Sequence, residues 1–196
     1  MDQTEDSEVT RMLHDAAAGV PGSLDRLIEA VYEDLRALAA HRMARHGGPV
    51  TIRPTELVHE AYGRLFGGAE RSWADRRHFI NSAVAAMRSV LIDRARRRAA
   101  LRRGGGMQRT AVDEVPAGFG GFSIVDLDDA ISALRRVDAR AADAVCYRVY
   151  AGLANSEIAR LLEISERSTE RELAFARVWL QRELTGRAGP RGEVMS

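Results

Sequence analysis

Apolar residues recur at intervals of three and four along almost the whole chain, the spacing that places them on one face of an α-helix. The sequence shows no convincing run of the strict alternation that is typical of a half-buried strand. An all-α protein is therefore predicted. Its 196 residues are enough to bury either one moderate core or two small ones.

The N-terminal half contains four predicted helices. The first ends at Pro21-Gly22, and the second is capped by Ser23 and ends at Gly47-Gly48-Pro49. The third begins near Thr55, and the fourth follows a turn at Gly67-Gly68 and runs out into a cluster of arginines. Their predicted apolar faces contain Val9, Met12, Leu13, Ala16, Val20, Leu24, Leu27, Ile28, Val31, Tyr32, Leu35, Leu38, Leu57, Val58, Ala61, Tyr62, Leu65, Phe66, Phe79, Ile80, Ala83, Val84, Met87, Val90 and Leu91.

A change of composition divides the chain after residue 103. Residues 104–124 are rich in glycine and show little periodicity, so they are predicted to form a flexible linker. A helical domain is predicted at 8–103 and a smaller one at 125–186, with disordered termini at 1–7 and 187–196. Two domains joined in this way are expected to move independently when no partner is bound.

The segment from Leu153 to Leu184 predicts a helix-turn-helix. A short helix is followed by the connection Glu163-Ile164-Ser165 and then by a longer helix, which Ser165 can cap, while the small Ala159 lets the helices cross closely. In this geometry the second helix enters the major groove of DNA. The residues that would then face DNA are Arg167, Ser168, Glu170, Arg171 and Arg177. The alternative is an ordinary pair of packed helices whose charges face solvent.

The basic residues are concentrated in one part of the chain. The net charge is only +1, which argues against a polycation that coats nucleic acid. The segment from Arg88 to Arg109 nevertheless holds eight arginines and a single acid, Asp93. A basic block therefore lies within an otherwise acidic protein.

The sequence argues against several functional classes. Cys146 is the only cysteine, and the five histidines lack the spacing of zinc ligands. Gly104-Gly105-Gly106 is not followed by the lysine and hydroxyl residue of a phosphate-binding loop. We therefore expect no enzyme, metal, cofactor or small-molecule substrate. No apolar stretch approaches the roughly 20 residues of a membrane span, and the N-terminus is acidic, so a cytoplasmic protein without a membrane partner is expected.

Four stretches of the chain are distinctive in their order and separation. They are residues 53–62 (RPTELVHEAY), 77–79 (RHF), 91–98 (LIDRARRR) and 175–180 (FARVWL), the last at the end of the helix-turn-helix. With them the chain resembles the sigma-70 family of RNA polymerase sigma factors, specifically the extracytoplasmic-function (ECF) group, which retains only the second and fourth conserved domains. The resemblance implies a non-enzymatic subunit that binds core RNA polymerase and directs promoter recognition and opening.

The resemblance also implies where the partners bind. The helix from Thr55 would dock on the β′ clamp helices of the polymerase, and the β flap is a second expected contact. A helix with mixed charges on its outer face suits another charged helix pair. The implied polymerase-binding residues are Glu56, Leu57, His59, Glu60, Tyr62, Arg64 and Leu65.

Two DNA-binding sets follow from the resemblance. The fourth helix and the loop before it would read the minus-ten element, through stacking and contacts to the single-strand backbone. The implied residues are Trp73, Arg76, Arg77, His78, Asn81, Arg88, Arg94, Arg96, Arg97 and Arg98. Trp73 and Phe79 could stack on DNA bases, and the alternative is that both are core residues. The helix-turn-helix would read the minus-thirty-five element as duplex DNA through Ser165, Arg167, Ser168, Thr169, Glu170, Arg171 and Arg177.

Three positions depart from the pattern of such motifs. Glu163 stands where glycine is common, Thr169 where an apolar residue is common, and Glu170 where a basic residue is common. One alternative is therefore a sigma-like protein that docks on polymerase but opens promoters poorly. Another is a stand-alone transcriptional regulator whose N-terminal helices sense a ligand or dimerise. Control by an anti-sigma factor, by a modification or by the linker stays open.

Overall fold

The computed structural model describes residues 10–15, 54–66, 73–102 and 122–188, together with single positions between 18 and 39. Every regular element in these ranges is helical, which confirms the all-α prediction. The predicted turns at Gly47-Gly48-Pro49 and Gly67-Gly68 lie outside the described residues. So does nearly all of the predicted linker.

Residues 10–15 are helical and lie against the segment around Ala74. Leu13 is buried, and His14 Nε2 lies 3.2 Å from the carbonyl oxygen of Ala74. Val20, predicted on the apolar face of the first helix, is instead exposed. The hydroxyl of Ser23 donates to the carbonyl oxygen of Val20 at 2.6 Å.

Two helices, α1 (Pro54–Phe66) and α2 (Arg76–Arg102), pack against each other in the N-terminal domain. Proline at the first position of α1 is favourable because that N–H has no partner within a helix. The 27 residues of α2 make it about 40 Å long. Its apolar positions are buried as predicted, namely Phe79, Ile80, Ala83, Val84, Met87, Val90 and Leu91.

The start of α2 is fixed by Asp75 and by an aromatic pair. The Asp75 carboxylate accepts a hydrogen bond from the backbone N–H of His78 at 2.7 Å, which satisfies a free donor of the first turn. Phe79 is fully buried, and its ring meets that of Trp73 edge to face with the centroids 5.5 Å apart. Trp73 is 6% exposed and therefore belongs to the core, the alternative noted for it above.

The C-terminal domain begins with α3 (Ile124–Val137) and α4 (Ala139–Cys146). Ser123 and Asp126 cap α3 reciprocally, each side chain accepting from the other's backbone N–H at 3.1 Å. The helix thus begins at the last residue of the predicted linker. After α4 the chain widens into a π-helical turn, Tyr147–Ala151, which ends at Gly152 with φ 70°.

The helix-turn-helix consists of α5 (Asn155–Leu162) and α6 (Glu166–Ala188), joined by the predicted connection Glu163-Ile164-Ser165. Their arrangement confirms the prediction from the sequence. Helix α6 extends to Ala188, into the segment predicted to be a disordered tail. It packs on α3, α4 and α5, so the recognition helix is held by the whole C-terminal domain.

The two domains are in contact. Helix α2 packs against α3 and against the π-helical turn, and the buried apolar residues of both halves form one continuous cluster. The two domains thus share an interface in this structure, and their independent motion in solution stays a prediction.

We predict that Phe79→Ala lowers the free energy of unfolding by about 3–5 kcal/mol, because it removes a fully buried ring and leaves a cavity beside Trp73. Urea denaturation followed by far-UV circular dichroism measures this. The matched control is Phe175→Ala, whose residue is 44% exposed and should lower stability by about 1.5 kcal/mol at most. Equal losses for the two variants would contradict this account of the core.

Candidate nucleic-acid interface

The start of α6 is set by Ser165. Its Oγ accepts the backbone N–H of Ser168 at 3.1 Å, and its carbonyl oxygen accepts that of Thr169 at 2.9 Å. This is the capping arrangement that the sequence predicts for Ser165. The cap leaves the first turn of α6 at the surface, with a helix N-terminus that favours anions.

The connection between α5 and α6 requires a left-handed residue, and Glu163 supplies it. Glu163 has φ 56° and ψ 42°, a conformation that costs a non-glycine residue about 1–2 kcal/mol. Its N–H and that of Ile164 close the end of α5 on the carbonyl oxygens of Arg160 and Ala159. The Glu163 carboxylate also pairs with Arg77 of α2 at 2.6 Å.

Most of the residues predicted to face duplex DNA lie on the exposed side of α6. Arg167, Glu170, Arg171 and Arg177 are exposed, and Ser168 is partly buried. Thr169 is a correction, because it is 0% exposed and its hydroxyl donates to the carbonyl oxygen of Ser165 at 3.3 Å. That hydrogen bond lets a threonine occupy a position where such motifs often have an apolar residue.

Further along the exposed side of α6 lies an apolar patch that sequence reasoning missed. Phe175 is 44% exposed and Val178 is 60% exposed, and with Trp179 they line a shallow surface cavity bordered by Arg182 and Glu183. The buried side of α6 follows Thr169, Ala176, Leu180 and Leu184, at intervals of seven, four and four. Phe175 and Val178 do not lie on this buried side. Their spacing in the sequence was the signal that could have predicted their exposure.

Helix α1 presents Glu56 and His59 to solvent and is fixed to α2 by ion pairs. Arg94 of α2 binds Glu60 and also lies 3.4 Å from Glu56. The hydrogen bond from Arg94 lowers the pKa of Glu60, and the same contact raises the pKa of Arg94. Arg94 therefore joins α1 to α2 in this structure, although its predicted partner is phosphate.

A second ion pair between α1 and α2 involves Arg64, which also belongs to the predicted polymerase-binding set. Arg64 binds Asp93 of α2 at 2.8 Å and also the hydroxyl of Ser89. Tyr62 is partly buried. Leu57 and Leu65 are corrections to the predicted polymerase-binding set, because they are 0% and 1% exposed and pack in the core between the helices.

The predicted minus-ten residues are divided among different environments. Arg96 and Arg97 are exposed near the end of α2, and Arg98 beside them is partly buried. At the start of α2, His78 is exposed while Arg76 is partly buried. Trp73 is a correction, since its burial against Phe79 leaves no ring face for a base.

The remaining three residues of that set are bound by the C-terminal domain. Arg77 pairs with Glu163, and Asn81 Oδ1 accepts from the hydroxyl of Tyr147 at 2.5 Å. Burial raises the pKa of Tyr147 to about 12, so its hydroxyl stays a donor at neutral pH. The third residue, Arg88, makes the most extensive of these contacts.

Arg88 and Asp128 form a two-point ion pair between α2 and α3. Arg88 Nε lies 2.5 Å from Asp128 Oδ1, and Nη2 lies 2.9 Å from Oδ2. Nη2 also donates to Ser132 Oγ at 3.2 Å. Asp128 is 6% exposed, and its carboxylate accepts a further hydrogen bond from the buried Tyr150 hydroxyl at 2.7 Å. This pairing raises the pKa of Arg88.

A comparison with protein families identifies the chain. The family model described as ECF sigma factor matches residues 6–186. The protein therefore belongs to the ECF sigma factor family, whose members are DNA-binding alternative sigma factors that act in transcription initiation. Searches of curated proteins and of solved structures found no match.

Neither a membrane-spanning helix nor a metal-binding cluster occurs in the part of the chain that the structure describes. None of its helices is long and apolar enough to span a bilayer. Within the same residues, no group of three or more histidine, cysteine, aspartate or glutamate side chains is placed to hold a metal ion.

We predict that Glu163→Gly raises the free energy of unfolding by about 1 kcal/mol. Glycine removes the left-handed strain of about 1–2 kcal/mol, and the lost exposed pair with Arg77 offsets about 0.2–1 kcal/mol of that gain. Urea denaturation measures the change. Glu163→Gln is the matched control, since it removes the charge but keeps the strain and should not stabilise the protein. Equal stabilities for the two variants would show that the backbone at this position is not strained.

Proposed function

We propose that this chain docks on core RNA polymerase through α1 and directs it to promoters through α2 and α6. Helix α6 would read the minus-thirty-five element as duplex DNA, and α2 would contact the minus-ten element during strand separation. The chain would supply binding energy alone, and the chemistry of RNA synthesis would belong to the polymerase. Because core polymerase is cytoplasmic, the proposal implies a cytoplasmic site of action.

The observation that carries this proposal is the exposed first half of α6. Arg167 and Arg171 are four residues apart and therefore share one face, next to a helix N-terminus that Ser165 caps. Arginine donates two parallel hydrogen bonds to guanine in the major groove, or binds phosphate. Glu170 lies beside them and can accept from the amino group of cytosine. Arg177 is exposed six residues further along α6, and we expect it to contact backbone phosphate.

The proposed minus-ten surface rests on the two ends of α2. The exposed Arg96 and Arg97 suit the electrostatic tracking of a single strand. His78 at the start of the helix is exposed, although its ring Nδ1 accepts from the N–H of Ala74 at 3.3 Å. Arg77, Asn81 and Arg88 belong to this proposed surface only when the C-terminal domain leaves them.

Two surfaces are proposed for the polymerase. The outer face of α1, with Glu56 and His59 exposed, would meet the β′ clamp helices, and the ion pairs of Arg94 and Arg64 keep that face in position. The apolar patch of Phe175, Val178 and Trp179 on α6 would meet the β flap. An exposed cluster of large apolar side chains is typical of a protein-binding surface.

The decisive experiment combines a pull-down with core polymerase and run-off transcription from a genomic promoter library. Stable core binding with new start sites supports the proposal and gives the promoter sequence. Duplex DNA binding without core binding would contradict it and favour a stand-alone regulator. Core binding without open promoters would identify a sigma-like protein that opens DNA poorly.

We predict that Arg171→Ala weakens holoenzyme binding to the minus-thirty-five element by about 10- to 100-fold, the effect of losing one specific arginine contact. Fluorescence anisotropy with duplex fragments from the promoters found above measures it. The matched control is Arg136→Ala, an exposed arginine in the last turn of α3, which should bind normally. If both variants bind alike, Arg171 is not a reading residue.

We predict that Val178→Glu weakens the complex with core polymerase at least about tenfold, because a charge would be buried in an apolar interface. Its stability should stay within about 0.5 kcal/mol of the wild type, since the side chain is exposed. Thr185→Glu, exposed two turns further along α6, is the matched control. Normal core binding by Val178→Glu would exclude the patch as a polymerase surface.

A further inference from the structure

We propose that Asn155 is a positioning residue for base recognition, which holds Glu170 in the orientation that accepts a hydrogen bond from the amino group of cytosine. The inference rests on the proposed function in one respect, namely that α6 lies in the major groove. It adds that one position of the minus-thirty-five element must be cytosine, and that a residue outside α6 helps to set this requirement.

Glu170 has a chemistry that matches one base. Its side chain is exposed on α6, directly before Arg171. A carboxylate only accepts hydrogen bonds, so it needs a base that offers a donor. Cytosine presents an amino group and no acceptor in the major groove, whereas guanine and thymine present acceptors there. Adenine has a donor as well, but its N7 acceptor lies beside it and repels a carboxylate.

The side chain of Asn155 lies between Glu170 and a second charged residue, Arg148. Arg148 Nη2 donates to Asn155 Oδ1, and Asn155 Nδ2 lies 3.5 Å from Glu170 Oε1. Because a guanidinium has only donors, the amide oxygen must face Arg148, which turns the amino group of the amide towards Glu170. The two partners therefore fix which way the amide points.

Asn155 is not needed to cap the helix in which it lies. Asparagine commonly bonds to backbone groups at the start of a helix. Here Ala154 occupies the cap position of α5, and its N–H donates to the carboxylate of Glu157 at 2.7 Å. The side-chain contacts that the structure describes for Asn155 are instead with residues 7 and 15 positions away. Its side chain thus joins α6 to the segment before α5.

Arg148 provides a firm support for this amide. It is partly buried in the π-helical turn Tyr147–Ala151, and the other four residues of that turn are buried. Its carbonyl oxygen accepts the N–H of Gly152 at 3.2 Å, where the chain turns towards α5. Turns of this kind often occur at functional positions. The guanidinium also places a positive charge behind Asn155, which offsets part of the repulsion between Glu170 and phosphate.

The length of the contact indicates what it does. A distance of 3.5 Å is near the limit for a hydrogen bond, so the contact with Glu170 adds little to the stability of the fold. Its effect is on orientation. Immobilising one flexible side chain at an interface costs about two- to tenfold in affinity, and a neighbour that already restricts the side chain removes part of that cost.

The base is identified by selection of the holoenzyme on duplex DNA with a randomised minus-thirty-five region. The wild type should require cytosine at one position, and thymine there should weaken binding about tenfold or more. Glu170→Gln should shift the preference at that position to adenine, because glutamine can both accept from N6 and donate to N7. If Glu170→Gln selects the same base as the wild type, Glu170 does not read it and the inference is wrong.

The role of Asn155 is tested with Asn155→Asp. This change keeps the oxygen that Arg148 binds and replaces the donor facing Glu170 by a like charge. Discrimination between cytosine and thymine should fall about two- to tenfold. The matched control is Ser156→Asp, the same charge at the exposed next residue of α5. It should leave the discrimination unchanged, because repulsion of phosphate does not depend on the base. Equal discrimination by the two variants would contradict a positioning role.

A purely structural role of Asn155 is separated by stability and by a double variant. The urea midpoint of Asn155→Asp should not fall, since aspartate is favourable at the start of a helix. Asn155→Ala should reduce the discrimination when Glu170 is present and should have no further effect on it in Glu170→Ala. A similar reduction in both backgrounds would show that Asn155 does not act through Glu170 and would overturn the proposal.

The failure of this inference is distinguishable from failure of the proposed function. The same selection is repeated with the full chain alone, because the inference concerns only α6 and duplex DNA. A requirement for cytosine that changes in Glu170→Gln, together with no binding to core polymerase, would contradict the proposed function and leave the inference intact. Core binding with new start sites, but with the same base selected by Glu170→Gln, would contradict the inference alone.

Discussion

The contact between Arg88 and Asp128 is the interaction on which the relation of the two domains depends. Asp128 is 6% exposed, and a carboxylate can be buried to this extent only when its charge is paired and its oxygens are hydrogen-bonded. Tyr150 provides one hydrogen bond from within the C-terminal domain, and Arg88 provides the counter-charge from α2. Removing Arg88 would leave the Asp128 carboxylate buried without a counter-charge, which destabilises the protein.

The surface of helix α2 consequently has three different environments. One side is fixed to α1 through Arg94 and Asp93, another is covered by the C-terminal domain, and the last turns carry exposed arginines. Arginines that look equivalent in the sequence thus differ in their environment. Arg88 and Arg94 are bound by carboxylates, whereas Arg96 and Arg97 stay available to an anionic ligand.

The parts of the fold that local patterns determine were predictable, and those that depend on distant pairs were not. Ser165 capping and the connection at Glu163 follow from signals within a few residues. Periodicity placed Leu57 and Leu65 in the core correctly, although the family resemblance suggested a docking role for them. The partners Arg88 and Asp128 are 40 residues apart, and nothing in either local sequence indicates the other. The exposed patch at Phe175 was not predicted, because its exposure depends on how α6 packs against α3, α4 and α5.

The chemistry of arginine explains how one surface can serve two partners. The planar guanidinium donates two parallel hydrogen bonds to a carboxylate or to a phosphate with nearly the same geometry. Arg88 therefore needs no change of its own to exchange Asp128 for a nucleic-acid backbone, since only the anion is replaced. The exchange does expose Asp128, and solvation of that carboxylate offsets part of the cost as the domains part. The ion pair between α2 and α3 is therefore a contact in which another anion can replace Asp128 at Arg88.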